Sequence, residues 1–153
     1  RGNGSRYEDF SGRLEILAYC LMPNHFHFFV YQQDEAAMRE FFKALTVSYS
    51  MYFNSRYKRV GPVFQQRYKA SHIYSDAYFL HISRYIHLNP PDWKAYKWSS
   101  LRDYSGSATT QWVHASRVLE HFPKGSNQYV DFVADYESAH RELENIKHLL
   151  ADR

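Results

Sequence analysis

Arg13-Leu14-Glu15-Ile16-Leu17-Ala18-Tyr19-Cys20-Leu21-Met22-Pro23-Asn24-His25-Phe26-His27-Phe28-Phe29-Val30-Tyr31 holds two apolar runs separated by a short polar break. Residues 13–20 are apolar enough for a largely buried strand. Met22-Pro23-Asn24 suits a tight connection, because proline fixes φ and asparagine tolerates turn geometry. Residues 25–31, rich in aromatics and valine, read as a second strand. Together they predict a β-hairpin. Cys20, on the first strand, is the single cysteine, which excludes an intrachain disulfide and is compatible with a reducing compartment. It reads as a small buried apolar residue.

Outward from the hairpin, residues 34–58 predict one long amphipathic helix. Asp34 is the expected N-cap, acids Asp34 and Glu35 open it, and Arg56, Lys58 and Arg59 close it, as the helix dipole favours. Phe41, Phe42, Leu45, Tyr49, Tyr52 and Phe53 recur at helical spacing as a core-facing stripe. Gly61-Pro62 stops the helix. Residues 63–74 look extended, as a strand pair or β-arm. A second helix is expected over 76–89, begun by Ser75 or Asp76 and ended by Pro90-Pro91. A Trp/Tyr/Lys-rich loop over 92–103 leads to Ser99 and Ser100, suited to capping a short helix. The tail from about 110 predicts two or three helices, ending in an amphipathic Glu/Lys-rich segment. The order predicts an α+β fold, an antiparallel sheet covered by helices.

The 153 residues suit one domain or one domain with an extension, and 44% hydrophobic against 23% charged is ordinary for a globular chain. No stretch reaches the roughly 18 apolar residues of a membrane span, and Arg1-Gly2-Asn3-Gly4 does not open a signal peptide. Charge is uneven. Residues 39–102 carry eleven Lys and Arg against three acids, a surplus of +8, so the remainder is −5 in a chain of net +3. Fifteen aromatics are interleaved with those cations. Cations that neutralise phosphates and rings that stack on unpaired bases are what a single-stranded nucleic-acid surface needs. The same aromatics also serve a core, and the same charges a solvated face.

The chemistry concentrates in His25-Phe26-His27. Side chains at i and i+2 of a strand share a face, so both imidazoles project together while Phe26 points the other way. Two convergent neutral imidazoles are most of a divalent-metal site, and a hydrogen-bonded surface pair has the same pattern. On the second helix Tyr85 and Asn89 stand at i and i+4, one turn apart on one face. An amide oxygen from Asn89 can complete three ligands, and the same asparagine before proline is also a common helix stop. Tyr85 reads equally as a packed aromatic. His81 lies one turn before Tyr85 on that face, and His87 points away from it. Arg67, Lys69, Lys58 and Arg59 are candidates for holding phosphates, and Trp93 and Trp98 for stacking on bases or packing in the core.

The run Ala18-Tyr19-Cys20-Leu21-Met22-Pro23-Asn24-His25-Phe26-His27 resembles the His-hydrophobic-His strand of the single-tyrosine HUH transposases, and in detail their REP-associated tyrosine transposase branch. Three later segments match in order. Gly61-Pro62-Val63-Phe64-Gln65-Gln66-Arg67-Tyr68 is similar to the family's Gly-x-(Val/Ile)-aromatic-Gln-x-Arg-aromatic segment. Arg84-Tyr85-Ile86-His87-Leu88-Asn89-Pro90 is similar to its catalytic-tyrosine helix, and Trp98-Ser99-Ser100 to the Trp-Ser-Ser that follows. The resemblance spans about residues 14–104 and continues more weakly through Trp112.

It implies a ferredoxin-like HUH endonuclease fold over 1–104, with a helical C-terminal extension over 105–153 packed on the same domain. It implies Tyr85 as nucleophile, and His25, His27 and Asn89 as ligands of Mg²⁺ or Mn²⁺. The implied activity is nicking and strand transfer of single-stranded DNA beside a hairpin, as in repetitive extragenic palindromes, through a covalent 5′-phosphotyrosine. A cytoplasmic, nucleoid-associated, bacterial-type protein is then expected, a monomer rather than a homodimer because the tail can cover the face through which smaller relatives pair. One departure stands out. Arg1-Gly2-Asn3 matches the end of the family's first strand, yet only about ten residues separate it from the strand that leads into the histidines. The first strand is therefore expected to be mostly absent and the first helix shortened to something like Tyr7-Glu8-Asp9-Phe10. A hairpin or single-strand binding module without catalysis is the rival from another class, and a water-using metal phosphodiesterase is a third. Only the covalent enzyme needs Tyr85 beside Asn89.

Overall fold

A computed structural model describes residues 8–135. Two compact units divide them: residues 8–14 with 32–69, and residues 15–31 with 70–135. The fold is α+β, with an antiparallel two-stranded sheet and flanking helices. Among the described residues no helix is long and apolar enough to cross a membrane.

The first unit is built on α1 (Ala37–Tyr57). The helix begins three residues later than expected, with Ala36 and not Asp34 as its N-cap; Asp34 Oδ1 accepts the backbone N–H of Ala36 and Ala37 at 3.0 and 2.9 Å in the turn that leads into it. Arg13 pairs with Asp34, Glu40 and Glu8 at 3.0, 2.8 and 3.3 Å, and its guanidinium holds the Asp34 carboxyl below the usual range. The helix ends at Tyr57, four residues before Gly61. Lys58 takes the left-handed conformation (φ 51°), and the N–H groups of Lys58 and Arg59 bond to Ser55 and Asn54 carbonyls in a Schellman turn. The aromatic stripe is only partly interior: Phe42 is buried, whereas Tyr49 and Tyr52 are exposed.

Two expectations are corrected here. Residues 63–74 form no strand. Within the first unit, Phe64 and Tyr68 instead pack against α1, with ring centroids 5.9 Å from Tyr49 and 4.8 Å from Phe42, so the aromatics that mimic strand composition serve ring packing. Nor does the short helix at Tyr7–Phe10 form over the described residues 8–10; Phe10 instead sets its ring edge against Phe41 at 5.4 Å.

The second unit holds the hairpin, β1 (Leu14–Leu21) and β2 (Phe26–Gln32), close to the predicted bounds. β1 also makes isolated bridges, Ile16 with Val113 and Cys20 with Ser99. Cys20 is fully buried, and burial pushes its thiol up to about 11. Then come α2 (Asp76–Leu88), α3 (Leu101–Tyr104), α4 (Ser116–Leu119) and α5 (Ser126–Ala134). The Glu/Lys-rich C-terminal helix expected from the sequence lies outside the described residues. One core joins Leu17 and Ala18 of β1, Phe29 of β2, Ile82 and Ile86 of α2, Leu101 and Tyr104 of α3, and Tyr129 and Val133 of α5.

A polar chain runs through this core. Tyr19 N–H donates to Ser100 Oγ at 2.8 Å. His87 lies between Ser100 Oγ on Nε2 (2.8 Å) and Tyr129 Oη on Nδ1 (2.6 Å). Tyr129 donates to Ser83 Oγ at 3.1 Å, and Ser83 donates to the Leu80 carbonyl at 2.8 Å. Ser100 Oγ also donates to the Tyr19 carbonyl at 3.2 Å, and His87 bonds two hydroxyls, each able to donate or accept, so both its nitrogens are satisfied without a charge. His87 is thus a neutral imidazole, and burial lowers its pKa to about 3.

The sign of the pH dependence follows. An unfolded His87 takes up a proton below about 6.5, whereas the folded one refuses it down to about 3. Stability from this residue is therefore full above 6.5 and is lost as pH falls, by about 1.4 kcal/mol per unit. Urea unfolding of the wild type should lose about 2 kcal/mol more than His87→Gln between about pH 6 and 4.5. Parallel profiles for the two proteins would refute the neutral buried imidazole.

Candidate active site

Strand alternation arranges the second unit's chemistry. Residues 25, 27 and 29 share one face of the hairpin, and Phe26 and Phe28 share the other, their rings 5.5 Å apart. Phe29 continues the histidine face into the core, where its ring meets Phe79 of α2 at 5.1 Å. One end of α2 is therefore set over the inner end of that face, and its other end reaches the histidines. The Tyr85 ring stands edge-on to His27, centroids 5.8 Å apart and planes at 87°. The Asn89 amide lies 3.1 Å from His27 Nε2. His25 and His27 have ring centroids 5.0 Å apart. All four residues singled out in the sequence thus converge on one patch.

Exposure grades across it. His25 is exposed, and His27, Tyr85 and Asn89 are half-buried. The phenol sits at the margin of the core, within reach of a substrate, and not in the interior. Asn89 is a helix stop as well: it caps α2 in helical conformation, with its N–H directed at the Ile86 carbonyl and Pro90 following.

Among the described residues no group of three or more His, Cys, Asp or Glu converges. The set here is two imidazoles and an amide. Such a set can hold a divalent ion and leave positions open for oxygen ligands. The amide nitrogen faces the ring, and half a turn about the last side-chain bond exchanges it for the oxygen that a cation requires.

Asn24 adds a feature that turn chemistry alone did not reveal. Its Oδ1 lies 2.7 Å from His25 Nδ1. An amide oxygen only accepts, so Nδ1 carries the proton and Nε2 keeps its lone pair outward. A carbonyl on the distal nitrogen is the usual means of orienting a ligand imidazole.

A family model described as Transposase IS200 like matches residues 10–89. The chain belongs to the IS200-like transposase family. No curated protein and no solved structure matches it. The matched span runs from the approach to β1 through α2 and ends on Asn89, so it takes in all four converging residues.

The other candidate DNA-binding residues are described each within its own unit. Lys58, Arg59, Arg67 and Lys69 are exposed in the first unit, where Arg59 lies over the Phe53 ring at 5.5 Å. His81 is taken up within the protein: its Nδ1 receives the Arg84 guanidinium, and its ring packs near Phe132 at 5.9 Å. Arg84, almost fully buried, also lies 4.1 Å over the Phe132 ring and donates to the Phe132 carbonyl at 3.2 Å. His87 points away, as expected.

Asn24→Ala should weaken Mn²⁺ binding by about 10-fold or more, with the melting temperature unchanged because Asn24 is exposed. Isothermal titration with Mn²⁺ checks this, and wild-type affinity in the variant would remove the orienting role.

Proposed function

We propose that this transposase-family chain nicks and rejoins single-stranded DNA through Tyr85, with His25, His27 and Asn89 holding Mg²⁺ or Mn²⁺. The observation that carries the reading is the half-buried phenol edge-on to His27, one helical turn from an amide that reaches the same imidazole.

A phenol has an ordinary pKa near 10 and attacks poorly as it stands. A bound divalent ion would supply positive charge to the scissile phosphate and to the phenolate beside it. The chain's own part is positional. In this reading the alternation of residues 25 and 27 sets the two imidazoles side by side, Asn24 bonds the His25 ring, and α2 sets the Tyr85 ring beside His27. In the step itself Tyr85 Oη forms a bond to phosphorus, the bond from phosphorus to the 3′ oxygen breaks, and the phenol proton ends on that oxygen. The products are a 5′-phosphotyrosine and a free 3′-hydroxyl. One phosphodiester has replaced another, so a 3′-hydroxyl from another strand can reverse the step and join DNA without an external energy source.

The substrate in this reading is single-stranded DNA flanked by a hairpin of the repetitive extragenic palindrome type. Its support is the likeness of the four ordered motifs to the REP-associated branch and the basic, aromatic middle of the chain. A nucleophile with no alternative nearby predicts a steep loss. Tyr85→Phe should reduce covalent protein–DNA adduct on a hairpin-flanked oligonucleotide with Mn²⁺ by roughly a thousandfold or more, about 4 kcal/mol of transition-state stabilisation. Adduct formation undiminished in that variant, read on a denaturing gel, would assign the nucleophile elsewhere. Metal-dependent cleavage without any adduct would favour activated water.

A further inference from the structure

The loop after α2 forms a groove of about 380 Å³ lined by Trp93, Lys94, Tyr96, Lys97 and Arg102 among others. None of the described residues lining it is acidic. The three cations are exposed, and the two aromatics are half-buried. Lys94 Nζ lies 5.2 Å over the Trp93 ring and Lys97 Nζ 5.0 Å over the exposed Trp98 ring, so cations and ring faces alternate along one segment. A single strand presents the same alternation of phosphate and base.

The groove is tied at both ends to the residues of the candidate site. Trp93 follows Asn89 after Pro90, Pro91 and Asp92. Tyr96 Oη donates to the Leu21 carbonyl at 2.6 Å, and Leu21 N–H donates to the Trp98 carbonyl at 2.8 Å. Leu21 is the last residue of β1, and Met22 N–H bonds the His25 carbonyl across the turn at 2.9 Å. The segment that carries the groove thus clasps the strand end leading into the histidines.

We infer that this groove binds the single-stranded DNA flank that enters or leaves Tyr85, its three cations on phosphates and its rings on bases. The inference rests on the single-strand reading above. It assigns that strand a track on residues 93–102.

The test uses the full chain and a fluorescent oligothymidylate, with anisotropy followed across a salt series. The triple variant Lys94→Gln, Lys97→Gln, Arg102→Gln is compared, per charge removed, with Lys124→Gln, an exposed position outside both the groove and the basic middle. The groove variant should bind at least about tenfold more weakly, and its slope of log affinity on log salt should fall by about 2, near 0.7 for each phosphate left without its cation. The control variant should stay within about twofold of wild type, and wild type should prefer the single strand to a duplex of equal length. An equal loss per charge in the control, or no preference over duplex, would overturn the groove. Adduct formation by Tyr85 is scored separately in wild type. Adduct with an unaltered salt slope in the groove variant rejects the groove and keeps the tyrosine reading; groove-dependent binding without adduct does the reverse.

Discussion

The position of α2 over the histidine face of the hairpin is the constraint on which the candidate site depends. A helix turns through its faces every 3.6 residues, so a residue two positions from Tyr85 points the opposite way. His87 is that residue. Its imidazole is locked between Ser100 and Tyr129 inside the core, and this fixes the rotation of α2 about its axis. With His87 inward toward α3 and α5, Tyr85 and Asn89 have only the hairpin to face. Phe79 on Phe29 sets the opposite end of the helix along the strand. Rotation and translation are thus held by a buried polar chain and an aromatic contact that take no part in the proposed chemistry.

A polar chain is better suited to that task than further hydrocarbon. Leucine and isoleucine tolerate small slips of register, because dispersion is not directional. A buried imidazole with two partners does not: a slip that loses either partner strands a desolvated nitrogen. The same burial that holds His87 neutral makes every hydrogen bond in the chain count, from the Tyr19 backbone to the Leu80 carbonyl. Four elements meet along it, β1, α3, α2 and α5, so the region after residue 89 contributes to a geometry whose chemical groups all precede Pro90.

Much of this was legible in the residues alone, for reasons that can be named. The hairpin followed from two apolar runs around Met22-Pro23-Asn24, and α2 from a helical pattern stopped by a double proline. Both are local signals within one element. Convergence of His25, His27, Tyr85 and Asn89 was legible only as two same-face pairs, one on a strand and one on a helix; which faces meet is a tertiary fact. Residues 63–74 misled because aromatic and β-branched composition does not distinguish a ladder strand from a segment packing its rings on a helix. The partners of His87 stand 13 and 42 residues away and leave no trace in local pattern. Asn24 advertised a turn, and its second task depends on which way the His25 ring is turned.

The grading of exposure across the patch has its own logic. A nucleophile deep in the core could not meet a polymer, and one fully in solvent would have no fixed approach. His25 stands in the open at the turn, held by a single amide, while His27 is wedged between Tyr85 and Asn89. The inner imidazole takes its position from the core and the outer one from the loop. Pro23 and Asn24, which lead into the outer imidazole, are both exposed. The phenol thus stands on the side of the patch that the core holds, which is the side the proposed in-line displacement at phosphorus would need fixed.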